Sequence, residues 1–201
     1  VRIQVSSGQT PFLRVEKSPK TKDASWVYLD KPEKAIALNK QWILHFAKGG
    51  PELPRDQILN TLRSWTDSGD PKSIAFAGTG VYSSVFNIES KSAQEYVLDL
   101  GTVNESARVW INGQEVGVIW SIPFQARIGK FLIPGENTIK IEVVNLMANR
   151  IRDMDIKKIK WKNYHEINFV NINYKDFDAA EWNIMPSGLS GPITITPYYY
   201  Y

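Results

Sequence analysis

Twenty-one acidic residues, two histidines and seven tryptophans are the side chains from which chemistry could be built in this chain of 201 residues. Hydrolysis by a carboxylate pair needs two acids held about 5–10 Å apart across the scissile bond. With so many acids, some pair meets that distance by chance, so the sequence singles out no catalytic pair. Asp67 and Asp70 sit in Thr66-Asp67-Ser68-Gly69-Asp70-Pro71, where Asp and Gly are expected simply to make a turn. A structural Ca²⁺ held by such carboxylates and backbone carbonyls is the weaker alternative, and no ligand spacing demands it. His45 and His165 come with no Gly-x-Ser-x-Gly elbow, so a Ser-His-Asp arrangement has no support. His45 is expected on a solvent-facing strand surface, and His165 in a hydrogen-bonding role within an irregular segment. Two histidines without cysteine disfavour a transition-metal site.

Tryptophan offers more, because an open indole stacks on the apolar face of a sugar ring. Trp110 alternates with Val109 and Ile111 and so points away from their face. Beside Arg108 it could stack on a sugar while the guanidinium bonds hydroxyls, or it could pack against a covering loop or another domain. Trp42 alternates with Leu44 and Phe46 and reads as core. Trp120 is expected to pack near a loop. Trp161 and Trp182 lie in a long stretch without regular pattern and are candidates to face a ligand or a neighbouring domain, with burial as the alternative. The run containing Arg150, Arg152, Lys157, Lys158, Lys160 and Lys162 reads as a solvated face tempered by Asp153 and Asp155. Its functional alternative is contact with an acidic polysaccharide.

Composition bounds these options. The chain is 43% hydrophobic and 22% charged, ordinary for a globular domain and long enough to bury a core without staples. A net charge of +3 makes no general case for nucleic acid. No cysteine is present, which excludes disulfides and thiolate sites and leaves the redox compartment open. No apolar run approaches the roughly 18–20 residues of a membrane span. The chain begins at Val1 with no apolar signal region, so a processed or trimmed product is expected.

The elements that must position these residues are short strands. Trp42, Leu44 and Phe46 share one face and Gln41, Ile43 and His45 the other, the period of a half-buried strand. Val81–Ile88 and Tyr96–Leu100 read the same way. Ala107–Ile111 and Glu115–Trp120 flank Asn112-Gly113, which predicts a hairpin through a tight turn with positive φ. Pro134-Gly135-Glu136-Asn137 turns the chain into Thr138–Val144, with Ile139, Ile141 and Val143 inward and Lys140 and Glu142 outward. A last strand is expected at Ile193–Thr196. Ile58, Leu59, Leu62 and Trp65 could form one helical stripe. Many strands with few helices predict an all-β sandwich or barrel. Residues 1–40 are expected to hold strands and a connecting segment packed on a sandwich formed by 41–201, within which 150–190 is irregular and aromatic.

The ordered set Val109–Gly117, Pro123-Phe124 and Pro134–Thr138 resembles the sugar-binding jelly roll of family 2 glycoside hydrolases. Ser64–Asp67, Ala77–Tyr82, Leu98–Gly101, Ile119–Phe124, Asn145-Leu146, Asn149-Arg150 and Pro186–Pro192 resemble the C-terminal domain of the α-L-rhamnosidase-like enzymes of family 106. The likeness covers residues 40–197. Two departures stand out: Met147-Ala148 replace an aromatic and a proline, and Arg152 replaces a glycine before Asp153. The resemblance implies a galactose-binding-like jelly-roll sandwich and a non-catalytic accessory role, the family's catalytic barrel lying outside this chain. Its implied partners are a carbohydrate, of plant type and possibly rhamnose-containing, and a catalytic glycoside hydrolase domain. A purely structural buttress and a stand-alone hydrolase are the alternatives. No cofactor is expected beyond the optional calcium, and the location implied is periplasmic or extracellular. Residues carried as carbohydrate contacts are Arg108, Trp110, Asn149, Arg150, Trp161 and Trp182.

Overall fold

The computed structural model describes residues 3–5, 7–8, 10–15, 28–163, 172 and 174–199. In chain order the elements are β1 (Lys31–Pro32), β2 (Ile36–Ala37), β3 (Trp42–Gly50), β4 (Gln57–Leu59), a 3₁₀ turn at Trp65–Ser68 and α1 (Pro71–Ala75). Then follow β5 (Ala77–Ile88), β6 (Glu95–Asp99), β7 (Thr102–Asn104), β8 (Ser106–Ile111), β9 (Gln114–Ile119), β10 (Gln125–Arg127) and a 3₁₀ turn at Gly129–Phe131. The chain closes with β11 (Gly135–Val144), α2 (Ala148–Ile156), β12 (Gly188–Gly191) and β13 (Thr194–Tyr199).

Two antiparallel sheets carry the fold. One has the order β4-β3-β5-β11-β8-β9; the other runs β1-β13-β6-β10, with β2 also on β13. A short β7–β12 pair forms a separate two-stranded sheet. Alternation decides which residues go inside. Trp42, Leu44 and Phe46 are buried while Ile43 and His45 face solvent; Ile139, Ile141 and Val143 are buried likewise. These meet Tyr96, Leu98 and Ile195 of the opposite sheet in one continuous core. That is the all-β jelly-roll sandwich expected of the sequence.

The hairpin forms at Asn112 and Gly113, both in the left-handed region with φ of 51° and 77°, as two-residue turns of this type require. Asn112 does more than turn the chain. Its Nδ2 donates to Asn137 Oδ1 at 2.7 Å and to the Phe131 carbonyl at 3.0 Å, while its Oδ1 accepts the Thr138 N–H at 2.9 Å. Asn137, fully buried, bonds Ile133 through both its N–H and its carbonyl. The Asn-Gly and Pro-Gly-Glu-Asn turns are therefore one hydrogen-bonded unit.

Three expectations are corrected. The stripe at 58–65 is not a helix: Ile58 points outward and Leu59 inward as in any strand, and Trp65 reaches the core from a 3₁₀ turn capped by Ser64. The irregular 150–190 stretch opens with a true helix, α2, which buries only Asn149 and Met154; so little apolar periodicity leaves no helical signature. Trp120 does not pack. It is 73% exposed, because it follows the last residue of β9 and the strand's in–out rule no longer governs it.

Candidate functional site

The end of the sandwich around α2 is built on four polar clamps. Asn145 donates from Nδ2 to the Phe76 carbonyl at 2.9 Å and to Ser187 Oγ at 3.0 Å, and accepts the Gly78 N–H at 2.9 Å. Ser64 Oγ accepts the Ser187 N–H at 2.8 Å and donates to the Ser187 carbonyl at 3.0 Å. Tyr82, its phenol pushed up by burial, accepts the Leu189 N–H at 3.1 Å. Asn149, 3% exposed, donates to the Met185 carbonyl at 2.7 Å and accepts the Met185 N–H at 2.8 Å. Backbone groups in irregular chain must find partners when buried, and these side chains supply them. Segment 185–189 is thus held as firmly as a strand.

Gly188 completes the clamp. Its φ is +87°, and a Cβ there would lie 2.6 Å from the Trp65 ring. Only glycine satisfies both constraints.

The segment just before it carries an aromatic group. Trp182 and Trp161 both pack edge-on to Phe177, with ring centroids 5.5 Å and 6.1 Å away. Asp155, its side chain 8% accessible, accepts the Trp161 Nε1–H at 2.6 Å and the Ala179 N–H at 2.8 Å. Burial alone would raise its pKa, but these bonds and the Lys162 charge outweigh that and hold the carboxyl below the usual range. Lys162 also donates to the Phe177 carbonyl. Trp182 keeps 41% of its surface open, and its carbonyl accepts Arg152 Nε at 2.6 Å.

The six residues named from sequence therefore fall in two places. Asn149, Arg150, Trp161 and Trp182 converge on α2 and the segment it holds. Asn149 is spent on Met185, and Arg150 on Asp153 at 3.1 Å. Arg108 and Trp110 lie apart from them on the outer face of the six-stranded sheet. Lys140 Nζ sits 3.6 Å from the Trp110 ring centroid, so one face of that indole is covered by an ammonium group. Arg108 lies 3.8 Å from Glu115. Phe177 was not singled out, having no periodic signal; Arg152 and Asp155 were read only as members of the charged run 150–162 and not as individual contacts.

A second open surface surrounds Trp120. Ile122, Ile3, Val5, Phe12 and Leu13 join it around a groove of about 1020 Å³.

The remaining chemical candidates resolve into structural roles. Asp70 caps α1, its Oδ1 and Oδ2 accepting the Lys72 and Ser73 N–H groups at 3.1 and 3.3 Å. His45 Nδ1 lies 2.9 Å from the Asp56 carboxylate on the sheet surface; His165 lies outside the described residues. Among the described residues no three acidic or imidazole groups converge to hold a metal, and no helix is long and apolar enough to cross a membrane.

Two antiparallel sheets packed as a jelly roll, with loops gathered at their ends, are the architecture of galactose-binding-like β-sandwiches. The chain belongs to one such family, the sugar binding domain of glycosyl hydrolases family 2, whose model matches residues 8–167. A Formosa agariphila protein assigned as a β-glucuronidase is 28% identical over 72% of this chain. A rhamnosidase from Novosphingobium sp. PP1Y shares the fold over 87% of the chain with a TM-score of 0.67 and 27% identity. The β-glucuronidase of Bifidobacterium dentium, solved with coumarin-3-O-glucuronide, covers 87% of the chain with a TM-score of 0.58 and 17% identity, a likeness of fold. The chain spans 14% of the Formosa protein's length, 16% of the rhamnosidase and 32% of the Bifidobacterium enzyme.

Proposed function

We propose that this chain is a non-catalytic accessory domain of a glycoside hydrolase acting on plant-type, rhamnose-containing polysaccharide, and that it meets glycan at the α2 end through Trp182 and Trp161. The observation that carries this is the open indole of Trp182 on a fixed support: Phe177 braces its ring and Arg152 its backbone. Aromatic faces held rigidly and half open are what sugar stacking requires. The likeness to a rhamnosidase supports the substrate class, and a polymeric substrate supports a periplasmic or extracellular location.

A second role is favoured by the groove around Trp120. So large an apolar surface marks contact with another protein surface, and a catalytic glycoside hydrolase domain is the partner this reading supplies. The two roles use different faces and are compatible.

Titrating intrinsic tryptophan fluorescence with rhamnose-containing oligosaccharides tests the first role. A saturable change that vanishes in Trp182→Ala, with the fold intact, is expected. A flat response at millimolar oligosaccharide leaves the buttress role alone.

A further inference from the structure

We propose that Arg152 and the Trp182 indole form a subsite for a carboxylated sugar, a uronic acid unit, within the α2 end. This rests on that end being the glycan-facing surface.

The guanidinium is anchored through one of its nitrogens. Nε donates to the Trp182 carbonyl at 2.6 Å, and no carboxylate of the described residues pairs with the rest of the group. Arginine has five N–H donors in a planar fork, so fixing Nε sets the plane and leaves the fork available. That geometry matches a carboxylate bidentately.

The neighbouring charges are arranged differently. Asp153 takes both Arg150, at 3.1 Å, and Lys157, at 2.8 Å. Asp155 takes Lys162 at 3.6 Å. Arg152, on α2 with both of these aspartates, has a backbone carbonyl as its partner. Residues 150–162 hold six cations against two carboxylates, although the whole chain is only +3. With Lys175, Asp176, Asp178 and Glu181 of the segment that presents Trp182 counted as well, the α2 end keeps an excess of two positive charges, which favours an anion over a neutral sugar.

Stacking and charge also share one support. The Trp182 backbone is bonded directly to Arg152, and its ring rests on Phe177. The distance between an apolar platform and an anion-reading fork is thus fixed by the fold. A pyranose carrying a carboxylate offers both matching features, a C–H face and a planar anion.

Calorimetric titration of the 201-residue chain with trigalacturonate, and with its fully methyl-esterified form, tests the subsite. The free acid is expected to bind at least tenfold more tightly at low ionic strength, with the advantage shrinking as salt rises. Arg152→Gln should abolish the preference, bringing the free acid and the ester to the same affinity. Should that variant lose thermal stability, Arg152→Lys keeps the charge and a donor for the Trp182 carbonyl but has no fork; it is expected to fold and to lose most of the preference. Equal affinity for the two forms in the unmodified chain, or a preference surviving both substitutions, overturns the subsite while sugar binding stands. Failure of the free acid to bind at millimolar concentration overturns the subsite and, if the ester and rhamnose-containing oligosaccharides also fail, the glycan-facing reading with it.

Discussion

Asn149 and Met185 bond each other twice, side-chain amide to backbone, at 2.7 and 2.8 Å. The pairing imitates a rung of antiparallel sheet, and it ties α2 to the segment that presents Trp182. Asn149→Ala removes both bonds and the buried amide that makes them. Met185 is exposed enough for water to reach its backbone, so the substitution should cost about 1–2 kcal/mol. Chemical denaturation would measure it, and acrylamide quenching should show Trp182 more accessible in the variant.

Gly188→Ala should be at least as damaging. The new methyl group meets the Trp65 ring at 2.6 Å and the backbone must hold φ at +87°. Overpacking of a closed core and left-handed strain together predict a loss of about 2–4 kcal/mol. Thermal unfolding of the variant would check this; Gly113→Ala, with open space at its Cβ, should cost only the backbone strain.

Acid should loosen the aromatic cluster through Asp155. Its folded pKa lies below the ordinary 3.8, so its contribution is complete above that value and is lost as pH falls through the lower, folded pKa. Near-UV circular dichroism from the Trp161–Phe177–Trp182 group is expected to hold from pH 7 to about 4 and decline below. Asp155→Asn should remove the low-pH step and cost about 1–3 kcal/mol at neutral pH.

Trp110→Ala is expected to leave the oligosaccharide response intact while Trp182→Ala abolishes it. The Lys140 ammonium occupies a face of the Trp110 ring, whereas among the described residues no cation covers Trp182. Loss of the response in Trp110→Ala instead would move the site to the outer sheet face.

Trp120→Ser should reduce binding of a hydrophobic dye such as ANS without lowering the thermal midpoint. The side chain is 73% exposed, so folding gains little from its burial, while the groove loses its largest apolar group. A fall of several degrees in the midpoint would show that Trp120 supports the fold.

Much of the framework is legible in the chain because its causes are local. Asn112-Gly113 turns wherever it occurs, and Trp42, Leu44 and Phe46 alternate because a strand has a period of two. The family signature proved to be structural in the same sense: Asn112 with Asn137, and Asn145 with Ser187, are motif residues that bond one another across the sequence. The candidate site was half legible. Trp161 and Trp182 could be named from their setting, yet α2 could not be seen, since a helix that buries Asn149 and Met154 is held by hydrogen bonds to residues about thirty positions away and not by an apolar stripe.

The sequence by itself determined the sandwich: alternation and turn chemistry act between near neighbours, and no distant contact is needed to read them. Tertiary structure alone decided which side chains remain available. Lys140 covers Trp110 because β8 and β11 pair in the register that sets those two residues opposite. Asn149 is consumed by Met185, and Arg152 is aimed beside Trp182, because α2 lies against segment 182–185. Exposure and partnership are properties of approach between distant segments, and residue order carries no local signal for them.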